Sequence, residues 1–176
     1  MGSAISIVAD NATADPIRDL WQEVSVWESA PSMEALGYPP HFTFAICPGL
    51  DALSLWQRLE PAAAGLSSLR IRFSRIRHFP ADPLVLWAAP DRTDELTAMH
   101  NLIHSCLKQD ECEELYRPGA WVAHCTLAMA IGPEHSEAAL NSVGPLEKPF
   151  EVEFDLLNCV SFPPLRTGYS RRLRSA

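Results

Sequence analysis

The chain of 176 residues has no excess of positive charge, no long apolar run and no closely paired cysteines. Each absence removes a class of function. Lys and Arg total 14 against 22 Asp and Glu, a formal net charge of −8. A broad surface for duplex nucleic acid needs a basic face, so that partner is excluded, whereas a small nucleotide or an RNA end needs only a local positive site. The opening stretch, MGSAISIVADNATADP, shows neither a basic region followed by an apolar run nor a membrane anchor, so no membrane association is expected. The five cysteines, at 47, 106, 112, 125 and 159, are odd in number and form no CxxC, which reads as free thiols in a reducing cytoplasm. No segment is low in complexity, and no short-period repeat is present.

What the chain does have is a core. An apolar fraction of 47% with 20% charged residues fits one folded domain over residues 1–176, built as two lobes and expected to be a monomer. Periodicity then divides it. Ile5 to Ala9 is short and β-branched and predicts a first strand. Asp15 before Pro16 predicts a helix start, with Asp15 as cap and Ile17, Leu20, Trp21, Val24 and Trp27 on one stripe. Asp51 caps a second helix that ends near Pro61 to Gly65. Leu69 to Phe79 alternates as a strand does, with arginines at 70, 72, 75 and 77, and the phase slip between Arg72 and Arg75 predicts a bulge. Leu84 to Ala89 is an apolar run that suits a central strand. Thr93 caps a third helix bearing Leu96, Met99, Ile103 and Leu107. Pro133 opens a fourth helix that Gly144 closes, and Phe150 to Val160 reads as one last long strand. The order β α β α β β α β α β, with helices and strands mixed, predicts an α+β fold.

Two stretches stand out. PPHFTFAI (Pro39 to Ile46) and AHCTLAMAI (Ala123 to Ile131) each hold His, a spacer, Thr and an apolar run, with His41 and His124 separated by 83 residues. In a strand, residues two apart share a face. His41, Thr43 and Ala45 then face one way and Phe42, Phe44 and Ile46 the other. Likewise His124, Thr126, Ala128 and Ala130 oppose Cys125, Leu127, Met129 and Ile131. One His-x-Thr is an ordinary half-buried strand; two copies suggest a shared cleft. The chemistry fits phosphodiester cleavage, where one oxygen loses a proton as another gains one. Two imidazoles with ordinary pKa near 6.5 can do both tasks. Two threonine hydroxyls can donate to the non-bridging phosphate oxygens. The scheme needs no metal and no cofactor.

His41-Phe42-Thr43-Phe44 and His124-Cys125-Thr126-Leu127 resemble the paired motifs of the two-histidine (2H) phosphoesterase superfamily, which includes the bacterial RNA 2′,3′-cyclic phosphodiesterases long called 2′-5′ RNA ligases. The resemblance spans most of the chain. It implies a bilobal fold of two pseudo-symmetric, mostly antiparallel sheets with outer helices and a central cleft. It also implies His41 and His124 as the acid–base pair, which is base and which acid depending on how substrate sits, with Thr43 and Thr126 beside them. Many members have proline where this chain has Ala123, and a basic residue where it has Met129.

The substrate expected is a 2′,3′-cyclic phosphate at an RNA end or on a small nucleotide. The alternatives are 2′-5′ RNA ligation or cleavage by the same residues, and a non-catalytic nucleotide- or RNA-binding module. Tyr38 and Trp121, each three residues before a motif histidine, are candidates to stack on a base, ahead of Phe79 and Tyr169. Arg75, within the β-strand cluster, is the candidate anion contact. The arginines at 166, 171, 172 and 174 form a second cluster, read as a frayed tail. A zinc reading would use His100 and His104, four apart on a helix, but Asn101 stands where a zinc hydrolase needs Glu, and Cys106, Glu111 and Cys112 give no tetrahedral spacing.

Overall fold

The computed structural model describes residues 2–175. Eight strands form two four-stranded antiparallel sheets. The first contains β1 (Gly2–Val8), β2 (His41–Cys47), β7 (Leu156–Phe162) and β8 (Arg166–Arg172), in the order β2-β1-β7-β8. The second contains β3 (Leu69–Phe79), β4 (Leu84–Pro90), β5 (Cys125–Ile131) and β6 (Gly144–Phe154), in the order β5-β4-β3-β6. Among the described residues the α-helices are α1 (Asp15–Val24), α2 (Ser32–Leu36), α3 (Ala52–Ala63), α4 (Asp94–Ser105) and α5 (Pro133–Leu140). The α+β architecture expected from the residue pattern is the one observed. Among the described residues no helix is long and apolar enough to cross a membrane.

The sheets exchange coverings. Helices α1, α2 and α5 pack on β5, in the second sheet, while α3 lies against β7 and β8 and α4 against β2, in the first. The apolar stripe of α1, Ile17, Leu20, Trp21 and Val24, is therefore buried in the same core as Phe42, Phe44, Phe73 and Phe154 from both sheets. Burial of this kind contributes roughly 25 cal/mol per Å² of apolar surface. It is what makes the two sheets share one core.

Several boundaries differ from the sequence reading. A 3-10 turn over Ala12–Ala14 runs straight into α1, so the capping side chain is Asn11, whose Oδ1 accepts from the Thr13 amide at 3.0 Å, and Asp15 is a first-turn residue. Asp51 does cap α3, accepting from the Ser54 amide at 2.9 Å. Thr93 stands at the cap position of α4 but makes no capping hydrogen bond. Gly144 opens β6 and does not close α5, which ends at Leu140. The expected single strand from Phe150 to Val160 breaks at Asp155. Phe154 pairs with Leu69 in the second sheet, whereas Leu156 pairs with Val8 in the first, so the chain changes sheets there. The Asp155 carboxylate meets Arg172 and the Asn11 amide at this crossing. The arginine-bearing tail is also ordered: β8 pairs along β7, and Arg171 donates to the Glu60 carbonyl. Helix α2, unseen in the sequence, is closed by Gly37 with φ +60, a left-handed conformation suited to glycine.

Glu28 fastens α2 to the end of β5. Its carboxylate accepts from the amides of Met129 (3.0 Å), Ala130 (2.8 Å) and Ser32 (2.9 Å), and from the Ser32 hydroxyl (2.6 Å). Two consecutive strand amides pointing the same way mark a bulge, and Glu28 supplies the acceptor that the missing neighbour strand would have given. Substitution Glu28→Ala is expected to lower stability by about 1–3 kcal/mol. Urea unfolding would measure this, with Glu28→Gln losing less because one acceptor oxygen remains.

Candidate functional site

Both His-x-Thr segments lie on sheet edges. β2 is the outer strand of the first sheet and β5 that of the second, and they meet across the core. The expectation that folding would bring the two motifs together holds: His41, Thr43, His124 and Thr126 line one cleft of about 430 Å³. An edge strand leaves a row of backbone groups unpaired, and here several of those groups are met by side chains, while the Ile46 carbonyl accepts from the Glu113 amide at 2.9 Å.

The caps match between halves. The Trp121 indole N–H donates to the Thr43 carbonyl at 2.9 Å, and the Trp21 indole N–H donates to the Thr126 carbonyl at 3.0 Å. His104 adds a contact from Nε2 to the Phe44 carbonyl at 3.0 Å. Both motif strands also bulge just after the Thr. In β2 the register slips between the pairs Ser6–Thr43 and Ile5–Ala45, and in β5 one slip falls between Trp87–Thr126 and Leu86–Ala128. The bulge changes which side chain comes next on the cleft face. Ala45 and Ala128 are in the core, and Ile46 and Met129 line the cleft. The alternation predicted from sequence placed these residues the other way round, because it assumed unbroken strands.

The two imidazoles are held alike. His41 Nδ1 lies 2.8 Å from the Pro39 carbonyl and His124 Nδ1 lies 2.7 Å from the Val122 carbonyl. A carbonyl only accepts, so Nδ1 carries hydrogen in each ring, and Nε2 is left to accept or donate a proton. Burial pushes His41 down to about 4, with the backbone carbonyl opposing and the nearby His124 adding to the fall. Burial also lowers His124, again opposed by its carbonyl. Apart from these imidazoles and the phenols of Tyr38 and Tyr116, the cleft lining carries no ionisable side chain. The Thr43 hydroxyl shares a 3.3 Å hydrogen bond with buried Ser6.

The predicted binding residues are placed differently from one another. Tyr38 is 5% exposed, meets His41 edge-on at 4.9 Å between centroids, and its oxygen accepts from Asn158 at 3.1 Å. Desolvation pushes its phenol up to about 12. It braces His41 and has no open face on which a base could stack. Trp121 stacks on buried His100 at 4.3 Å, so its indole is tied on one face and at its nitrogen. Phe79 and Trp87 both meet the second motif, edge-on to His124 at 5.0 Å and 6.1 Å, and they stack on each other at 5.1 Å. Tyr169 stacks on Trp56, away from the cleft. Arg75 stands outside the cleft lining, in an adjoining pocket with Arg77 and Trp87.

His100 and His104 brace the main chain, each with Nε2 at a carbonyl: Tyr116 for His100 at 2.7 Å and Phe44 for His104. Among the described residues no group of three metal-ligating side chains converges. The residues that sequence reasoning missed are Ser6, Trp21, Trp87 and Asn158. Trp21 read as helix stripe, and nothing in its periodicity signals a hydrogen bond to a strand 105 residues away.

The sequence profile described as the 2′-5′ RNA ligase superfamily matches residues 13–162. The chain belongs to this family of two-histidine phosphoesterases. Among solved structures, TT0787 of Thermus thermophilus shares the fold with TM-score 0.68 at 15% identity, covering 99% of both chains. A protein described as a phosphoesterase gives 0.65 at 14%, covering 98% of each. LigT of E. coli complexed with 3′-AMP gives 0.63 at 14%, covering 98% of this chain and 99% of that one. No curated protein matches at the level of sequence.

If the indoles are what hold the bulged edges, Trp121→Phe should free the Thr43 carbonyl and Trp21→Phe the Thr126 carbonyl. Each is expected to cost about 1–3 kcal/mol. Hydrogen exchange should then quicken selectively in β2 for the first variant and in β5 for the second. Equal loss of protection in both strands from either substitution would contradict the assignment.

Proposed function

We propose that the protein is a metal-independent phosphodiesterase that opens 2′,3′-cyclic phosphates, at an RNA end or on a small nucleotide, by general acid–base catalysis with His41 and His124. One observation carries this reading. Two imidazoles face one cleft, each with Nδ1 occupied by a carbonyl two residues back, each with Nε2 uncommitted and each with a Thr on the same strand face.

The step balances on these groups. Water attacks phosphorus while one Nε2 takes its proton. The bond from phosphorus to one ribose oxygen breaks, and the other Nε2, protonated, gives that oxygen its proton. Thr43 and Thr126 donate to the non-bridging oxygens, where charge accumulates. His41, under Tyr38 and strongly depressed, is the imidazole harder to protonate, and we assign it as base with His124 as acid. A cleft without fixed charge suits a cyclic phosphodiester, which carries a single negative charge. The largely apolar wall near His124, with Phe79, Leu115, Val122 and Met129, suits a nucleoside. That LigT is seen with 3′-AMP, NADP+ and ATP supports a nucleotide ligand. The described cysteines are all free thiols, in keeping with a cytoplasmic protein, and we read it as a monomer.

The family description favours one further reading. With a 5′-hydroxyl in place of water as the nucleophile, and the 3′ oxygen leaving with the acid's proton, the same residues would join RNA ends through a 2′-5′ linkage. Product analysis on a 2′-5′-linked dinucleotide separates the two.

His41→Ala and His124→Ala are each expected to reduce turnover of a nucleoside 2′,3′-cyclic phosphate by about 10²–10⁴-fold while leaving the fold intact. EDTA should not inhibit. Full activity in either variant would sink the proposal. The pH dependence has a defined sign. In the free protein both imidazoles are depressed, so the proton required on the acid is lost below its ordinary value near 6.5. The alkaline limb of kcat/KM should then fall on the acid side of neutrality. A bound phosphate anion favours the imidazolium, so the alkaline limb of kcat should lie at higher pH.

A further inference from the structure

The bulge in β3 puts two unpaired arginines of this acidic chain on the face that carries His124. Leu69, Ile71 and Phe73 point into the core, the register slips at Ser74, and Ile76 then points into the core. Arg75 and Arg77 are thereby turned to the opposite face. On that face Arg77 pairs across from Trp87, and Trp87 pairs across from Thr126, so Thr126, Trp87 and Arg77 stand in one row across β5, β4 and β3. Two strand spacings separate Thr126 from Arg77, about 10 Å between backbones. Next along β3 comes Phe79, which touches His124.

The row opens onto a pocket of about 630 Å³ lined by Arg75, Arg77, Trp87 and the hydroxyl-bearing Ser74, Thr93 and Thr97. It shares Trp121 and Val122 with the apolar wall beside His124. The pocket holds one acid, Asp91, whose carboxylate is engaged by Arg72 at 3.4 Å and Ser74 at 2.5 Å. Arg75 and Arg77 form no ion pair among the described residues, and both are exposed. Trp87 is 6% exposed, and its indole N–H finds no partner in the protein. This wall offers donors and positive charge, and the cleft beside it offers neither lysine nor arginine.

We propose that Arg75 and Arg77 form a second anion subsite, which takes the 5′-phosphate of the nucleotide whose cyclic phosphate lies between His41 and His124. The proposal rests on the phosphodiesterase reading and narrows its substrate class to 5′-phosphorylated species. The shared chemistry is a phosphate on the 5′ oxygen, whether a terminal monoester or the linking phosphodiester of an RNA end. Cα atoms two apart on a strand are about 6.7 Å from one another. That spacing lets both guanidinium groups reach one phosphate, or one each of two successive phosphates.

The test compares wild type, Arg75→Gln, Arg77→Gln and the double variant. The substrates are adenosine 2′,3′-cyclic phosphate, the same nucleotide with a 5′-phosphate, and a dinucleotide ending in a 2′,3′-cyclic phosphate. Wild type should favour the 5′-phosphorylated substrates in kcat/KM by roughly ten- to a hundredfold at low salt, and the double variant should lose that preference. A gain for the dinucleotide points to an RNA end as the source, and a gain for the monoester alone points to a free nucleotide; either supports the subsite. No preference in wild type, or one that survives in the double variant, overturns it. Calorimetric binding of adenosine 2′- and 3′-phosphate against their 5′-phosphorylated counterparts reads the subsite without turnover. If hydrolysis is absent but the binding advantage falls with Arg75 and Arg77, the subsite stands and the phosphodiesterase reading fails. If hydrolysis proceeds with no such advantage, the reading stands and the subsite fails.

Discussion

The arrangement depends on how two bulged edge strands satisfy their outward backbone groups. An unpaired carbonyl or amide shut away from water costs about 1–3 kcal/mol, and an exposed edge invites another chain to pair with it. Here the edges are β2 and β5, and side chains close them: Trp121 and His104 on β2, Trp21, Glu28 and Ser32 on β5. Each cap comes from an element remote in sequence, so closing the edges also fixes one part of the chain to the other. The bulges depend on these partners, and the cleft depends on the bulges. Without them Ala45 and Ala128 would follow the threonines on the cleft face, and the core would have to take Ile46 and Met129.

How much of this was legible follows from what polarity can encode. The bulge in β3 was legible because arginines and apolar residues exchange phase at Ser74. The bulges in β2 and β5 were not, because Ala45-Ile46 and Ala128-Met129 are apolar throughout and a slip leaves no polar mark. The motif residues themselves were legible, since His and Thr at the same spacing twice is a polar signature on otherwise apolar strands. The change of sheets at Asp155 was hidden, because strand propensity runs unbroken from Phe150 to Val160 and only the pairing partners differ. The double role of Trp21 was hidden too. Burial accounts for its place on the stripe, and the direction of one N–H bond is a tertiary fact.

Electrostatics separate the two parts of the proposed substrate path. The chain carries a net charge of −8, which opposes the approach of a phosphate, and screening confines that opposition to about 10 Å at ordinary ionic strength. Arg72 is tied to Asp91, Arg172 to Asp155 and Arg58 to Glu111, so much of the positive charge is spent within the protein. Arg75 and Arg77 retain theirs beside the cleft. Burial in the cleft disfavours the charged form of both imidazoles, and nothing else in its lining holds a charge. An anion entering it therefore meets no fixed cation and gains most by drawing a proton onto one imidazole, the state that acid catalysis needs.

Met129 shows how the two halves diverge from a common plan. It occupies, five residues after His124, the position that Ile46 occupies five residues after His41, and both face the cleft. The resemblance to other two-histidine proteins sets a basic residue near this place. With methionine there, 40% exposed and continuous with Phe79, Leu115 and Val122, the His124 side becomes an apolar wall with no lysine or arginine of its own. In the proposed reading, contacts to phosphate come from the threonines within the cleft and from the β3 arginines beyond Trp87. The apolar wall lies between those two positions, where a nucleoside bridging two phosphates would have its base and sugar.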